Sequence, residues 1–121
     1  WAPPERTQAA AVVGAMKPLL PPPPPGAPGP FALSDEAALR TLATEAGWTP
    51  LEVNDVDCPF AYPDVETAVL GLDSSGVAER ARRHSGEAAV SAAHREVAEK
   101  YRRADGSVHI GNAFRYLVAR A

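Results

Sequence analysis

FALSDEAALRTLATEAGWTPLEVNDVDCPF, residues 31–60, decides the architecture of this chain. It reads as a helix cap, an amphipathic helix, a Gly-Trp break and a strand. Ser34 is placed to cap the helix, Asp35 and Glu36 complement the dipole in its first turn, and Leu39, Leu42, Ala43 and Ala46 recur at the spacing of one buried face. Gly47 stops it. In the strand, Leu51 and Val53 alternate inward before the phase shifts to Val56, Cys58 and Phe60, which predicts a bulge near Asn54 and Asp55.

Outward from that stretch, the chain closes on FRYLVARA, and a strand as uniformly apolar as Tyr116 to Ala119 expects neighbours on both edges and cover on both faces. Only the segments around Leu51–Phe60, Val108–Ile110 and Phe114–Arg120 read as strands. The sheet they join therefore needs further members, and the chain reads as half of an α/β domain. It begins at Trp1 with no initiator methionine, so upstream residues are expected.

The remaining segments are mostly helical. A first helix is expected from Pro4 to Leu19, with Pro4 and Glu5 in its first turn and Ala9, Val12, Val13 and Met16 as its apolar stripe. Residues 20–33 form a proline-rich loop of polyproline II character. Its PxxP spacings fit an SH3-like groove, but the only flanking basic residue is Lys17, so a connecting loop is the preferred reading. Asp64 caps a short helix carrying Val65, Val69 and Leu72, and Asp73 to Gly76 break it. The arginine-rich Arg80–Arg83 reads as a second short turn. Ser85 reads as the cap of the longest helix, whose stripe is Val90, His94, Val97 and Tyr101. Pairs Glu96–Lys100 and Glu99–Arg103 would stabilise its exposed face by about 0.3 kcal/mol each. Asp105-Gly106 turns the chain into its last strand.

Composition fits a globular piece: 121 residues, 45% hydrophobic and 22% charged, suffice for a modest single core. Charge is uneven. Residues 1–78 carry three basic and ten acidic side chains, residues 79–121 nine and five. This arrangement lets the two ends meet across one surface, and an anion-binding face is the alternative. The single cysteine excludes an internal disulfide framework and, with no CxxC or His-Cys pair at zinc spacing, suggests a reducing, cytoplasmic setting and no metal. Cys58 reads as a small strand hydrophobe. The longest charge-free stretch, Pro18 to Ser34, holds eight prolines, which rules out a membrane helix there.

Four features taken in order resemble a known family: Phe31-Ala-Leu-Ser-Asp with Leu39 and Leu42, the AGW at Ala46–Trp48, CPFAYPDVETAV, and the closing NAFRYLVARA. Together they look like the C-terminal, substrate-side half of a class I S-adenosylmethionine-dependent methyltransferase, a Rossmann-like α/β fold. The resemblance implies that Trp1 ends the fifth strand and that residues 1–19 hold the helix after it. Residues 34–60 then carry a helix and the sixth strand, 61–105 inserted helices, and 106–121 the seventh strand, which in that fold runs antiparallel between the fifth and sixth. This would account for a closing strand that is apolar on both faces.

The family's glycine-rich turn after the first strand and its acidic residue after the second have no counterparts in this sequence. No cofactor-binding residue is therefore assigned, and S-adenosylmethionine is expected in the complete enzyme but not on this chain alone. What the resemblance carries over is the substrate side, where ligands lie beyond the carboxyl ends of the strands. Trp1, Phe31, Tyr62 and Phe60 are the aromatic residues nearest that mouth and are candidate pocket or lid residues, with core packing as the alternative for each. His84, beside the arginine-rich segment, is the one histidine considered for substrate contact. His94 reads as a satisfied core histidine and His109 as strand surface. No carboxylate pair, Ser-His-Asp set or Cys-His pair has catalytic spacing, so catalytic residues stay unassigned.

Two functions remain in play. One is the acceptor-side half of a methyltransferase acting on a small molecule. The other is a non-enzymatic binding or interaction module completed by a partner chain. Self-association through an exposed sheet edge is expected of the half-domain, and a stable monomer would favour the stand-alone module. Nucleic-acid binding through Arg80–Arg83 and Arg102-Arg103 is disfavoured, because net charge is −3 and no aromatic residues interleave with the arginines.

Overall fold

The computed structural model describes all of residues 1–121 as a mixed α/β chain. Helices α1 (Ala10–Met16), α2 (Glu36–Glu45), α3 (Val65–Asp73), α4 (Gly76–Ser85) and α5 (Glu87–Lys100) accompany four strands, β1 (Thr49–Asp57), β2 (Phe60–Tyr62), β3 (Val108–Ile110) and β4 (Ala113–Arg120). The strands form two separate antiparallel pairs, β1 with β4 and β2 with β3. No helix is long and apolar enough to cross a membrane.

The core lies among α1, α3, α5 and β3. Val65, Ala68, Val69 and Leu72 of α3 meet Val97 and Ala98 of α5 and Val108 and Ile110 of β3 in one cluster. Met16, Ala78, Ala81 and Val90 form a second, which docks α4 on α1 and α5. Asp64 caps α3 as its sequence predicts, its side chain accepting from the Thr67 amide at 2.7 Å. That bond holds the Asp64 carboxyl below its ordinary range. The stripe of α5 is also as expected, with Val90, His94 and Val97 buried and Tyr101 half-buried at its end.

Elsewhere the structure corrects the sequence reading. The expected helix over Pro4–Leu19 is broken into a 3-10 turn at Pro4–Arg6, an extended Thr7, helix α1 and a 3-10 turn at Lys17–Leu19. The cause is tertiary: the amides of Gln8 and Ala9 both donate to the Gly111 carbonyl, and the Thr7 hydroxyl donates to Asn112 Oδ1 at 2.6 Å. Asp35, not Ser34, caps α2, accepting from the Ala38 amide at 2.9 Å. The Ser34 carbonyl instead receives Arg115. Along α2, Leu39 and Ala43 are half-buried while Leu42 and Ala46 are exposed, because only the β1–β4 pair lies against that helix.

The strand expected over Leu51–Phe60 is two strands in different pairs, interrupted at Cys58-Pro59. Its bulge falls between Pro50 and Glu52 rather than at Asn54–Asp55. Pro50 has no N–H to give the ladder, so the register slips where the bond is missing. Cys58 lies just past β1 and is exposed. Arg80–Arg83 belong to a full helix, α4, capped by Ser75. Ser85 ends α4 instead of capping α5 and donates to the Leu19 carbonyl at 2.9 Å. On α5, Arg95 reaches across to Glu66 of α3 with two bonds of 2.5 and 2.8 Å, and Glu99 pairs with Arg102 at 3.6 Å in place of Arg103.

Candidate functional site

An apolar cavity opens between α1, α3, α5 and β2. It has a volume of about 280 Å³, and eight of its 11 lining residues are hydrophobic. Residues already marked in the sequence come together here. Trp1 and Tyr62 both line the cavity, as does Phe60. Phe31 stands behind Trp1 with ring centroids 5.4 Å apart, and Phe114 lies on the same indole at 6.3 Å. The proline-rich loop thus brings Phe31 back to the beginning of the chain, and the three rings form a wall. His84 is elsewhere: its Nδ1 lies 3.2 Å from the Leu19 carbonyl and 3.1 Å from the Ser85 hydroxyl, at the junction of α4 with the turn after α1.

Gly71 of α3 explains how Tyr62 comes to line the cavity. A Cβ built on Gly71 would lie 2.6 Å from Tyr62 Cε1, so the phenol ring packs against helix backbone where no other residue leaves room. Burial pushes the Tyr62 hydroxyl's pKa above its ordinary value.

The histidine that reaches this cavity is His94, which sequence reasoning placed in the core. It is completely buried. Its Nδ1 sits 2.6 Å from Asp73 Oδ1, and the other oxygen of Asp73 accepts the Ser91 hydroxyl. Asp73 ends α3 with its side chain only 16% exposed, while α5 runs past it, so the pair ties two helices together. The other ring nitrogen, Nε2, is buried with no partner, and the same is true of Trp1 Nε1. Both residues line the cavity. The stripe spacing of α5 correctly buried His94, but Asp73 lies 21 residues away and nothing in the local pattern joins them.

A second concavity of about 830 Å³ is broad and polar. It lies beside the end of β1 and the turn between β3 and β4, with Arg6, Gln8, Asp57, His109 and Asn112 among its walls. His109, expected on the strand surface, is half-buried there. Gln8 spans it, accepting from the Gly111 amide at 2.6 Å. Nowhere are three or more His, Cys, Asp or Glu side chains gathered as a metal site. Gly26 and Gly29, the only glycines grouped in the first half, lie in the exposed proline-rich loop with no side chain or backbone near them. They do not sit at a strand-to-helix turn.

Comparison of the chain with models of protein families, with curated proteins and with solved structures finds no match.

Proposed function

We propose that this chain is the acceptor-side part of an S-adenosylmethionine-dependent methyltransferase acting on a small molecule. The observation that carries the reading is the position of the chain's first residues against β4. Successive carbonyls of a strand point to opposite edges. The Asn112 carbonyl accepts from Cys58 on the side of β1, and the next carbonyl, Ala113, accepts the Ala2 amide at 2.9 Å on the other side. Residues 1–2 therefore approach the edge of β4 where the resemblance puts the end of a fifth strand, with the closing strand antiparallel to β1 as it requires. This support is at the level of fold, and the activity rests on the resemblance.

The chain's own contribution is binding. Transfer of a methyl group in line requires the reactants to be held in register and shielded from water. The apolar cavity beside Trp1 does both for a one-ring molecule, with Tyr62 in its wall and Phe31 backing the Trp1 indole. The cofactor cradle is not among these residues, so no step of the transfer is assigned to them.

The test is the complete reading frame. A glycine-rich strand–turn–helix is expected within about 150 residues upstream of Trp1. That longer protein should transfer labelled methyl groups from S-adenosylmethionine to small aromatic acceptors, and the 121-residue chain should give no calorimetric isotherm with S-adenosylmethionine. A saturable isotherm from the chain alone, or an upstream frame without such a motif, would sink the reading. The second reading, a binding module completed by a partner chain, is favoured by one feature, the open apolar face of β1–β4 formed by Val56, Tyr116 and Val118. Failure of the longer frame to transfer methyl groups, with a stable complex to another chain, would establish it.

A further inference from the structure

Residues 20–35 carry neither helix nor strand. Connections beyond about 12–15 residues are uncommon unless they are disordered or have a task of their own. This one is held at both ends. Leu19 and Leu20 pack against the cluster of Met16, Ala78, Ala81 and Val90, and the Leu19 carbonyl accepts the Ser85 hydroxyl at 2.9 Å. At the far end Phe31 lies on Trp1, with ring centroids 5.4 Å apart.

Between these anchors residues 21–25 are all proline. Leu20 enters the run extended, at φ −94° and ψ 151°. Each proline fixes its own φ and pushes the residue before it away from the helical region, so the run keeps to polyproline II. It ends in a type II turn. The Ala27 amide donates to the Pro24 carbonyl at 3.1 Å, and Gly26 takes the positive φ, 75°, that the third position of such a turn demands. Pro22, Pro23, Pro24 and Pro25 are exposed, while Leu20 and Pro21 are half-buried. With three residues per turn, Pro22 and Pro25 share one ridge and Pro23 stands on the next. The carbonyls of Pro21, Pro22 and Pro23 accept no backbone hydrogen bond. A plain connector needs neither the anchors nor an unbroken proline run standing clear of the body.

We propose that this run is a docking ligand for a protein domain whose groove is lined with aromatic side chains. Aromatic rings pack between the proline ridges, and their N–H or O–H groups donate to the free carbonyls. The run is already fixed in its bound form by its anchors, so docking orders little more of the chain. No charged residue lies between Pro18 and Ser34, so the groove is chosen by apolar ridges and not by ion pairs. The docking is independent of methyl transfer and of the cavity beside Trp1.

The test titrates the isotope-labelled 121-residue chain with three recombinant probes, an EVH1 domain, a WW domain and an SH3 domain. The EVH1 or the WW domain should bind saturably, with amide NMR shifts centred on Leu20, Gly26 and Ala27, whose N–H groups flank the prolines. Replacing Pro22 and Pro23 together by Ala strips both outer ridges and leaves the turn at Gly26 in place. That double variant should bind at least about tenfold more weakly, with the native circular dichroism retained because both sites are exposed. Lys17→Ala should change binding by less than about twofold. The position of the shifts on the native chain decides even without the variants. No saturable binding of any probe, shifts centred away from the run, or binding undiminished in the folded double variant would each overturn the proposal. So would binding by the SH3 domain alone that Lys17→Ala abolishes, since a flanking cation would then be the feature recognised.

Discussion

The helical half and the β1–β4 ribbon differ in what covers them. Between Met16 and Val65 no residue is buried, and of the ribbon only Ala113 is. In the helical half, by contrast, Val90, Ala98 and Ile110 are sealed from solvent. The ribbon is well paired, with a register running from Thr49 opposite Arg120 to Asp57 opposite Ala113. Its backbone is satisfied while its side chains are not covered. Hydrogen bonding fixes a strand pair but adds little net stability, and burial against another layer is what makes it firm. Directly opposed residues share a face, so Val53 with Leu117 and Asp55 with Arg115 lie on one side, and Val56 with Phe114, Asn54 with Tyr116 and Glu52 with Val118 on the other. The first side is half-buried and the second leaves Val56, Tyr116 and Val118 at 50, 46 and 38% exposure.

The largest expected effect of this contrast is on stability. Ile110→Ala removes a fully buried side chain from the main cluster and should cost about 2–5 kcal/mol. Val56→Ala on the open face should stay within about 0.5 kcal/mol. Urea unfolding followed by circular dichroism measures both. A Val56→Ala loss approaching that of Ile110→Ala would mean that the open face is covered in solution and would erase the contrast.

The same division sets what was legible in the sequence. Asp64, Val65, Val69 and Leu72 form a local pattern of cap and stripe, and the structure realises it without change. The stripe of α5 is legible for the same reason. The breaks in the first helix were not, because Thr7, Gln8 and Ala9 take their partners from Gly111 and Asn112 more than 100 residues away. Ser34 lost to Asp35 as cap within one residue, which spacing alone does not separate. At the cavity, aromatic identity was enough to mark Trp1 and Tyr62. The meaning of His94 needed Asp73 on another helix and the orphaned Nε2, and neither is written in a helical period.

A smaller effect follows from the open face itself. Exposed apolar side chains on a two-stranded ribbon favour association of like surfaces. The chain should show concentration-dependent sedimentation, and replacing Val56 and Val118 together by Lys should weaken self-association at least about tenfold, since each buried charge would need a partner. A monomer at every concentration, with no binding of a hydrophobic dye, would show that the face is not sticky and would weaken the case for a missing layer.

The smallest effect lies on the ribbon's covered side. Arg115 grips Asp55 with bonds of 2.7 and 3.0 Å, and Arg6 meets the same carboxylate. The Arg115 hydrogen bond, with the charges of Arg115 and Arg6, holds the Asp55 carboxyl below its ordinary 3.8. A carboxyl with a depressed folded pKa contributes stability that is full above its unfolded value and is lost as pH falls through the folded one. The ribbon should therefore loosen only below about pH 3.8, and at neutral pH this contribution is complete. Other carboxyls held low, those of Asp64, Glu66, Glu79 and Asp105, lie outside the ribbon and weaken their own contacts over the same range. Asp55→Asn separates the two, because it removes the one ribbon carboxylate that Arg115 and Arg6 grip and leaves the others in place. Backbone amide NMR shifts followed from pH 6 to pH 2 should show Val53, Val56 and Leu117 moving together in the native chain. In Asp55→Asn that joint movement across the two strands should be lost, while residues near Asp64 move in both. Ribbon shifts that persist unchanged in Asp55→Asn would assign the acid transition to the helical half and leave the strand pair held by its backbone alone.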